Sequence, residues 1–257
     1  MNTQNILNKV VKTSTAIQQN RYVSAISTGL MATMPLMMVG AIGSIFNQLS
    51  IPAYQNFLVS TGLKKIMVLP NEIGTNLFAL FAVFSIAYQF AHSDKKDGLT
   101  AGILALMAFL FITPLTFDKT GAMSAIPAQW LGAAGLFGAM IVGLLSARLY
   151  CFFIDKNIVI KMPDSVPPVV TRMFGAILPG LAIAIISMAL SFGFSHTKFA
   201  SLHGFIYQIV AVPLTGLGST LPALLIAVLF TGVMWTLGIH GTMITLSVFI
   251  QFGRRSI

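Results

Sequence analysis

The chain has 257 residues, of which 56% are hydrophobic and only 8% are charged, with a mean hydropathy of +0.87 and a net charge of +9. A soluble domain carries roughly 25% charged residues, so this chain cannot hide its apolar surface as a soluble domain, and we predict an integral membrane protein. Its single cysteine, Cys151, excludes an internal disulfide framework and a multi-cysteine zinc site. With four histidines and six acidic residues, we expect no metal centre.

Membrane spans can be predicted from the runs that lack Asp, Glu, Lys and Arg, because a helix needs about 20 predominantly apolar residues to cross a bilayer. Before the first such run, Leu7, Val10, Val11 and Ile17 predict one face of a short amphipathic helix at the membrane interface. We predict an all-α polytopic protein with about six transmembrane helices. They are placed near Val23–Phe46, Ile73–Phe90, Leu99–Phe117, Gly132–Phe153, Phe174–Phe194 and Leu221–Leu237.

Two charge-free runs are longer than one helix requires. The polar stretch Asn47–Leu63 predicts a loop or a short surface helix, whereas Phe199–Gly253 holds one span interrupted by prolines and glycines. Irregular backbone at membrane depth survives only when it is buried in protein or lines a wet cavity, and transporters build substrate sites from such broken segments. We therefore expect re-entrant or horizontal elements near the C-terminus.

The loop charges predict the orientation of the chain. With a cytoplasmic N-terminus, the inner segments hold eleven basic residues and the outer loops hold four, namely Lys64, Lys65, Lys119 and Lys198. Cytoplasmic loops of membrane proteins are enriched in Lys and Arg, so we predict that both termini are inside. The same enrichment explains the positive net charge, and we expect no nucleic-acid partner, since no basic stretch is interleaved with exposed aromatic residues.

The segment from Lys161 to Arg172 has two interpretations. Asp164 or Ser165 can cap a helix whose first turn holds the Pro-Pro pair that follows. In the alternative, Lys161, Asp164 and Arg172 line a docking face or a substrate path.

The stretch Leu202–Val212 predicts a helix that lies flat at the membrane surface, with a plain outer loop as the alternative. The predicted apolar face holds Phe205, Ile206, Ile209 and Val210, opposite His203, Tyr207 and Gln208.

The strongest candidate for a binding residue is His240, which lies between Gly238 and Gly241 just after an apolar span. Glycines let the backbone bend sharply or approach a ligand, and an ionisable group inside a membrane is a functional candidate. The alternative is a histidine bonded to a neighbouring carbonyl. Glu72 is a rival candidate at the mouth of the second span, and Trp235 offers a stacking face or an interfacial anchor.

Catalytic machinery is not visible in the sequence. Paired carboxylates, a nucleophile–base arrangement and a phosphate-binding glycine loop are all missing from its motifs. We predict no catalytic residue and no cofactor, so that any reactive group comes from a partner.

Several ordered motifs resemble the phosphotransferase-system sugar permeases of the lactose/cellobiose class, and the resemblance covers about Arg21 to Gly241. They are Arg21–Ile26, Met34–Gly40, Met162–Val169 with Pro179-Gly180, Phe205–Tyr207, Pro213–Pro222 and Gly238–Gly241.

The resemblance implies a homodimeric IIC subunit in the bacterial inner membrane that translocates a β-linked disaccharide such as cellobiose. It implies an N-terminal scaffold over residues 1–198, with five spans, and the start of a mobile sugar-binding domain over residues 199–257. A cytoplasmic IIB partner, itself charged through IIA, would phosphorylate the sugar, so the phosphoryl-carrying residue lies on the partner. The motif assigns His240 to the sugar site, with Gly238 and Gly241 shaping the turn.

One departure from the family pattern affects this interpretation. The family's later hairpin with an Asn-Pro-Glu motif does not occur in this sequence, and we expect a C-terminally truncated chain. The alternative function is therefore an inactive membrane scaffold that dimerises without transporting. An ion-coupled secondary transporter is a third possibility.

Overall fold

The computed structural model describes residues 3–163, 165–215 and 221–236. In its N-terminal half the helices are α1 (Thr3–Gln18), α2 (Arg21–Ala32), α3 (Met34–Gln48), α4 (Pro52–Ser60), α5 (Lys64–Met67), α6 (Leu69–Asn71), α7 (Phe78–Ser93) and α8 (Gly98–Ile112). A hairpin of β1 (Thr116–Phe117) and β2 (Met123–Ala125) follows, and then α9 (Leu136–Asp155), α10 (Pro168–Gly175), α11 (Ile177–Ser195), α12 (Leu202–Thr215) and α13 (Leu221–Thr236).

The predicted fold class is confirmed, because the chain is an α-helical, multi-pass membrane protein. Three described segments are long and apolar enough to cross a membrane: Arg21–Gln48, Ala133–Asp155 and Pro168–Ser195. A fourth is formed if Lys64–Asn76 and Phe78–Ser93, which meet at a bend of 43°, make one broken span. The predicted N-terminal helix is present as α1, and the predicted surface helix after the first span is present as α4.

The third predicted span is shorter than expected, because α8 ends at Ile112 and has only 15 residues. Thr113 is extended, with ψ of 129°, since the proline that follows it disfavours helical backbone at the preceding position. The last two residues predicted for this span instead form β1, which pairs antiparallel with β2. Asp118 closes the hairpin by accepting hydrogen bonds from the backbone N–H groups of Thr120 and Ala122.

The core of the bundle is built on α7, which packs against α2, α8 and α9. Small side chains let these helices approach closely. A Cβ at Gly29 of α2 would lie 2.7 Å from the backbone of Ile86 in α7, and a Cβ at Gly143 of α9 would lie 3.0 Å from the carbonyl oxygen of Val83. The interhelical surfaces are therefore in backbone contact.

The bundle has two ends that differ in chemistry. The start of α2 and the ends of α7 and α9 carry charged side chains, whereas the end of α8 and the start of α9 carry aromatic ones. Gly138 and Asp155 mark these two ends on α9 and are about 25 Å apart at 1.5 Å per helical residue. The link from α11 to α12 also runs at the aromatic end, where Ala200 has a left-handed φ of 59°.

Candidate functional site

Four charged side chains meet at one end of the bundle, and we call Arg21, Asp94, Lys96 and Asp155 the ionic cluster. Arg21 Nη2 lies 2.5 Å from Asp94 Oδ2, and Lys96 Nζ lies 3.3 Å from the same oxygen. Lys96 Nζ also contacts Asp155 Oδ1 at 2.8 Å. The two positive and two negative charges balance, and they join the start of α2, the loop after α7 and the end of α9.

Arg21 makes a second contact that its charge partner does not explain. Its guanidinium carbon lies 3.8 Å from the ring centroid of Phe90 on α7, a cation–π geometry. Tyr22 packs on the same ring at a centroid distance of 5.2 Å. The start of α2 is thus held to α7 by both charge and ring contacts.

Lys96 is the central cation of this cluster. Its hydrogen bond to Asp155 raises the pKa of the ammonium, and Asp94 adds to that effect against the opposing desolvation. Lys96 therefore stays charged at neutral pH. Lys96 and Arg21 both belong to the segments predicted to be on the inner side, and the structure places them at one end of the bundle.

A buried imidazole lies at the other end, and we call Phe109, Thr113, Trp130, His203 and Tyr207 the His203 cluster. His203 is only 2% exposed. Its ring stacks on Trp130 with a centroid distance of 5.4 Å and an interplanar angle of 9°, and it meets Phe109 edge-on at 4.9 Å. Tyr207, one turn later on α12, meets Trp130 edge-on at 6.1 Å.

One hydrogen bond defines the tautomer of His203. Thr113 Oγ1 donates to the carbonyl oxygen of Phe109 at 2.7 Å, which uses its only proton. His203 Nε2 lies 3.1 Å from Thr113 Oγ1. Because that hydroxyl has no second proton to donate, we assign the ring proton to Nε2, which donates to Thr113 Oγ1. This bond joins residues 90 positions apart in the chain.

The other ring nitrogen faces glycine. His203 Nδ1 is buried without a hydrogen-bond partner in the described part of the chain. A Cβ at Gly138 of α9 would lie 2.7 Å from this nitrogen. Gly138 is therefore required for the close approach of the imidazole to α9.

The cluster keeps His203 uncharged. Over its 14 described residues, helix α12 is not among the segments that qualify as spans. Desolvation by burial lowers the pKa of His203 to about 4. A neutral imidazole with one donor and one bare nitrogen agrees with the tautomer set by Thr113. At neutral pH the ring acts as a packed hydrogen-bond donor and not as a proton carrier.

The predicted helix over Leu202–Val212 is present as α12, but the prediction that His203 lies opposite the apolar residue Ile206 is wrong. His203 and Ile206 are 2% and 7% exposed, whereas Ile209 is 54% exposed. Positions three and four residues apart share a helix face, so His203 lies with Ile206 and Tyr207 against the bundle. The spacing of His203, Ile206 and Tyr207 is visible in the sequence. Thr113, the hydrogen-bond partner of His203, is too distant along the chain to be found from local pattern.

Other predicted residues lie apart from both clusters. Glu72 is exposed and accepts a hydrogen bond from Asn76 Nδ2 at 2.6 Å, in the wide π-type turn at the broken span. Lys161 and Arg172 are exposed, and Trp235 is 48% exposed.

The predicted helix start after Lys161 lies later than expected. Helix α10 begins at Pro168, Pro167 is its N-cap, and no side chain caps it, so a cap by Ser165 is wrong. The rigid ring of Pro167 and the missing N–H of Pro168 place the helix start there. Asp164 and the predicted sugar-site residues His240, Gly238 and Gly241 lie outside the described residues.

Comparisons with known proteins give a consistent result. The family described as "Phosphotransferase system, EIIC" matches residues 27–253. The chain is 35% identical over 248 residues to the "PTS system cellobiose-specific EIIC component" of Geobacillus stearothermophilus, covering 92% of this chain and 55% of that protein. It is 34% identical to the "Lichenan permease IIC component" of Bacillus subtilis (strain 168), covering 91% of this chain and 54% of that protein.

A solved structure is also similar. The transporter ChbC, the IIC component from the N,N'-diacetylchitobiose-specific phosphotransferase system, matches with a TM-score of 0.76 and 34% identity. The match covers 96% of this chain and 58% of ChbC. The chain thus spans about half the length of the relatives it matches.

Proposed function

The chain belongs to the phosphotransferase system EIIC family, and from that membership we propose that it works in the uptake of a β-linked disaccharide such as cellobiose. The observation that carries the proposal is the match over residues 27–253, together with relatives named for cellobiose and lichenan. The coupled step is phosphorylation of the bound sugar by a cytoplasmic IIB component, which IIA recharges.

The chemistry of the substrate explains why such coupling traps it. A neutral disaccharide can cross inside a polar pocket, because its hydroxyl groups exchange water for protein hydrogen bonds. The phosphorylated product carries up to two negative charges, which are costly to move through an apolar layer. Uptake of this kind needs no ion gradient, so it differs from ion-coupled transport in a way that can be measured.

We assign the sugar contact to His240, whose ring would hydrogen-bond a sugar hydroxyl, with Gly238 and Gly241 shaping the turn around it. This assignment rests on the sequence motif alone. In the same proposal residues 1–198 form a scaffold and residues 199–257 begin the sugar-binding region. A homodimer and a cytoplasmic N-terminus complete the proposal, the latter supported by the excess of basic residues in the inner segments.

Uptake of radiolabelled cellobiose tests the proposal. The chain is expressed in bacteria that lack their own β-glucoside uptake but contain the IIA and IIB components, and sugar phosphate is measured inside the cell. We expect uptake that depends on the phosphoryl donor and survives collapse of the ion gradients. Uptake that is abolished by collapsing the gradients, and not by removing the donor, would refute it.

A pair of histidine variants tests the site. His240→Ala is expected to weaken sugar binding without changing membrane insertion, whereas His196→Ala, at an exposed position at the end of α11, serves as the control. Equal affinity in the two variants would remove the assignment of His240. Absence of uptake together with preserved insertion and self-association would favour a scaffold that assembles without transporting.

A further inference from the structure

The first two turns of α12 are buried against the scaffold, although α12 begins just after the end of the scaffold proposed at residue 198. His203 and Ile206 are nearly inaccessible, and Leu202 packs on the bundle core. Gln208 and Ile209, which come next, are exposed. The buried attachment of α12 is therefore described for Leu202–Tyr207.

The contacts of His203 hold it in one position. The imidazole is stacked on Trp130, meets Phe109 edge-on and donates to Thr113. These partners lie on or near α8 and before α9, so the ring contacts two parts of the scaffold at once. Sliding of α12 would break the hydrogen bond between His203 and Thr113 and leave a buried donor unsatisfied. The free-energy cost is larger than for the loss of an exposed hydrogen bond, because water cannot replace the lost partner.

Neighbouring contacts strengthen the same attachment. Tyr207 meets the ring of Trp130, on which His203 is stacked. Phe205 packs against Phe194 of α11 at a centroid distance of 5.0 Å. The start of α12 is thus attached to three separate segments of the scaffold.

We infer that His203 is a positioning residue that anchors the start of α12 to the scaffold, so that Leu202–Tyr207 stay with the scaffold when the sugar-binding region moves relative to it. The inference rests on the proposed function and on the mobile sugar-binding domain that the family resemblance implies. The opposite arrangement has α12 moving as one piece with the sugar, which requires the His203 cluster to open in every cycle.

Amide hydrogen exchange on the purified chain tests the anchor without any transport assay. In the wild type, peptides that cover Leu202–Tyr207 are expected to exchange as slowly as those of α8 and α9. Thr113→Val keeps the side-chain shape and removes the acceptor, so exchange over Leu202–Tyr207 should be about fivefold faster, as expected for one lost hydrogen bond.

A matched control separates this coupling from a general loss of stability. Thr28 Oγ1 donates to the carbonyl oxygen four residues earlier, at 2.6 Å, as Thr113 does, but it is exposed. Thr28→Val should leave exchange over Leu202–Tyr207 unchanged. Unchanged exchange in Thr113→Val, or an equal effect of both variants, would overturn the anchor.

Transport kinetics test the positioning role. His203→Gln retains a donor that reaches Thr113, whereas His203→Phe fills the space without a donor. We expect His203→Phe to lower the maximal uptake rate about fivefold with the KM for cellobiose unchanged, and His203→Gln to restore the rate. A change confined to KM would overturn the role. If the wild-type chain takes up no sugar, the proposed function fails, and the exchange result still decides whether the anchor exists.

Discussion

The ammonium nitrogen of Lys96 lies 2.8 Å from a carboxylate oxygen of Asp155, the last residue of α9. The same nitrogen contacts Asp94, which follows α7. One side chain in a short loop therefore joins the ends of two core helices. Lys96 is only 13% exposed, but Asp155 is 53% exposed, so water screens part of this attraction.

Removal of this cation should have a modest effect on stability. Lys96→Met is expected to lower the free energy of unfolding by about 1 kcal/mol. The loss is small because Asp94 retains its ion pair with Arg21, and water can solvate the exposed carboxylate of Asp155. The measurement is thermal unfolding in detergent. The control is Lys95→Met at the exposed neighbouring position, and equal effects of the two variants would contradict a specific role of the ionic cluster.

The stability of the protein should fall as the pH is lowered from about 6.5 to about 4, because of His203. The pKa of this ring is lowered to about 4 in the folded state, so the unfolded chain binds a proton in this range while the folded chain does not. The full difference corresponds to about 3 kcal/mol. Unfolding should be followed against pH in the wild type and in His203→Phe, and an equally steep decline in the variant would refute the assignment to this histidine.

Gly138→Ala should destabilise the protein by about 1–3 kcal/mol, because the added methyl group would lie 2.7 Å from His203 Nδ1 in a packed site. Gly193 in α11 offers a matched control, since a Cβ there meets nothing within 4 Å. Gly193→Ala should be neutral or stabilising by about 0.5–1 kcal/mol through helix propensity. Both can be measured by thermal unfolding, and similar losses in the two variants would contradict the steric explanation.

Ala200→Gly should stabilise the link between α11 and α12. Ala200 has a φ of 59°, a left-handed conformation that costs about 1–2 kcal/mol for a residue with a Cβ. Part of the gain is lost because glycine has more freedom in the unfolded chain, so we expect a net gain of about 0.5–1 kcal/mol. Asn157→Gly is the comparison, because asparagine tolerates its φ of 55° better. A larger gain at Asn157 would contradict this reasoning.

Three of the six predicted spans could be found from the sequence because apolar length is a local property of the chain. The segments predicted at Val23–Phe46 and Phe174–Phe194 lie within Arg21–Gln48 and Pro168–Ser195, and the one predicted at Gly132–Phe153 begins one residue before Ala133–Asp155. The early end of α8 is also encoded locally, since Pro114 follows the extended residue Thr113 that ends the helix, but hydropathy alone ignores backbone geometry.

Neither polar cluster could be predicted from local pattern. Arg21 and Asp94 are 73 residues apart, and Thr113 and His203 are 90 residues apart. Such pairs form only when helix packing brings distant segments together. The polar face predicted for α12 was wrong for a related reason: local pattern places a histidine on the polar side of a helix, whereas Thr113 and Trp130 enclose His203.

The backbone contact between Gly29 of α2 and Ile86 of α7 has a consequence for permeation. This seam has no room even for a methyl group, so a hydrated sugar cannot thread between the two helices. The route of a solute therefore lies elsewhere than between these two helices at this level.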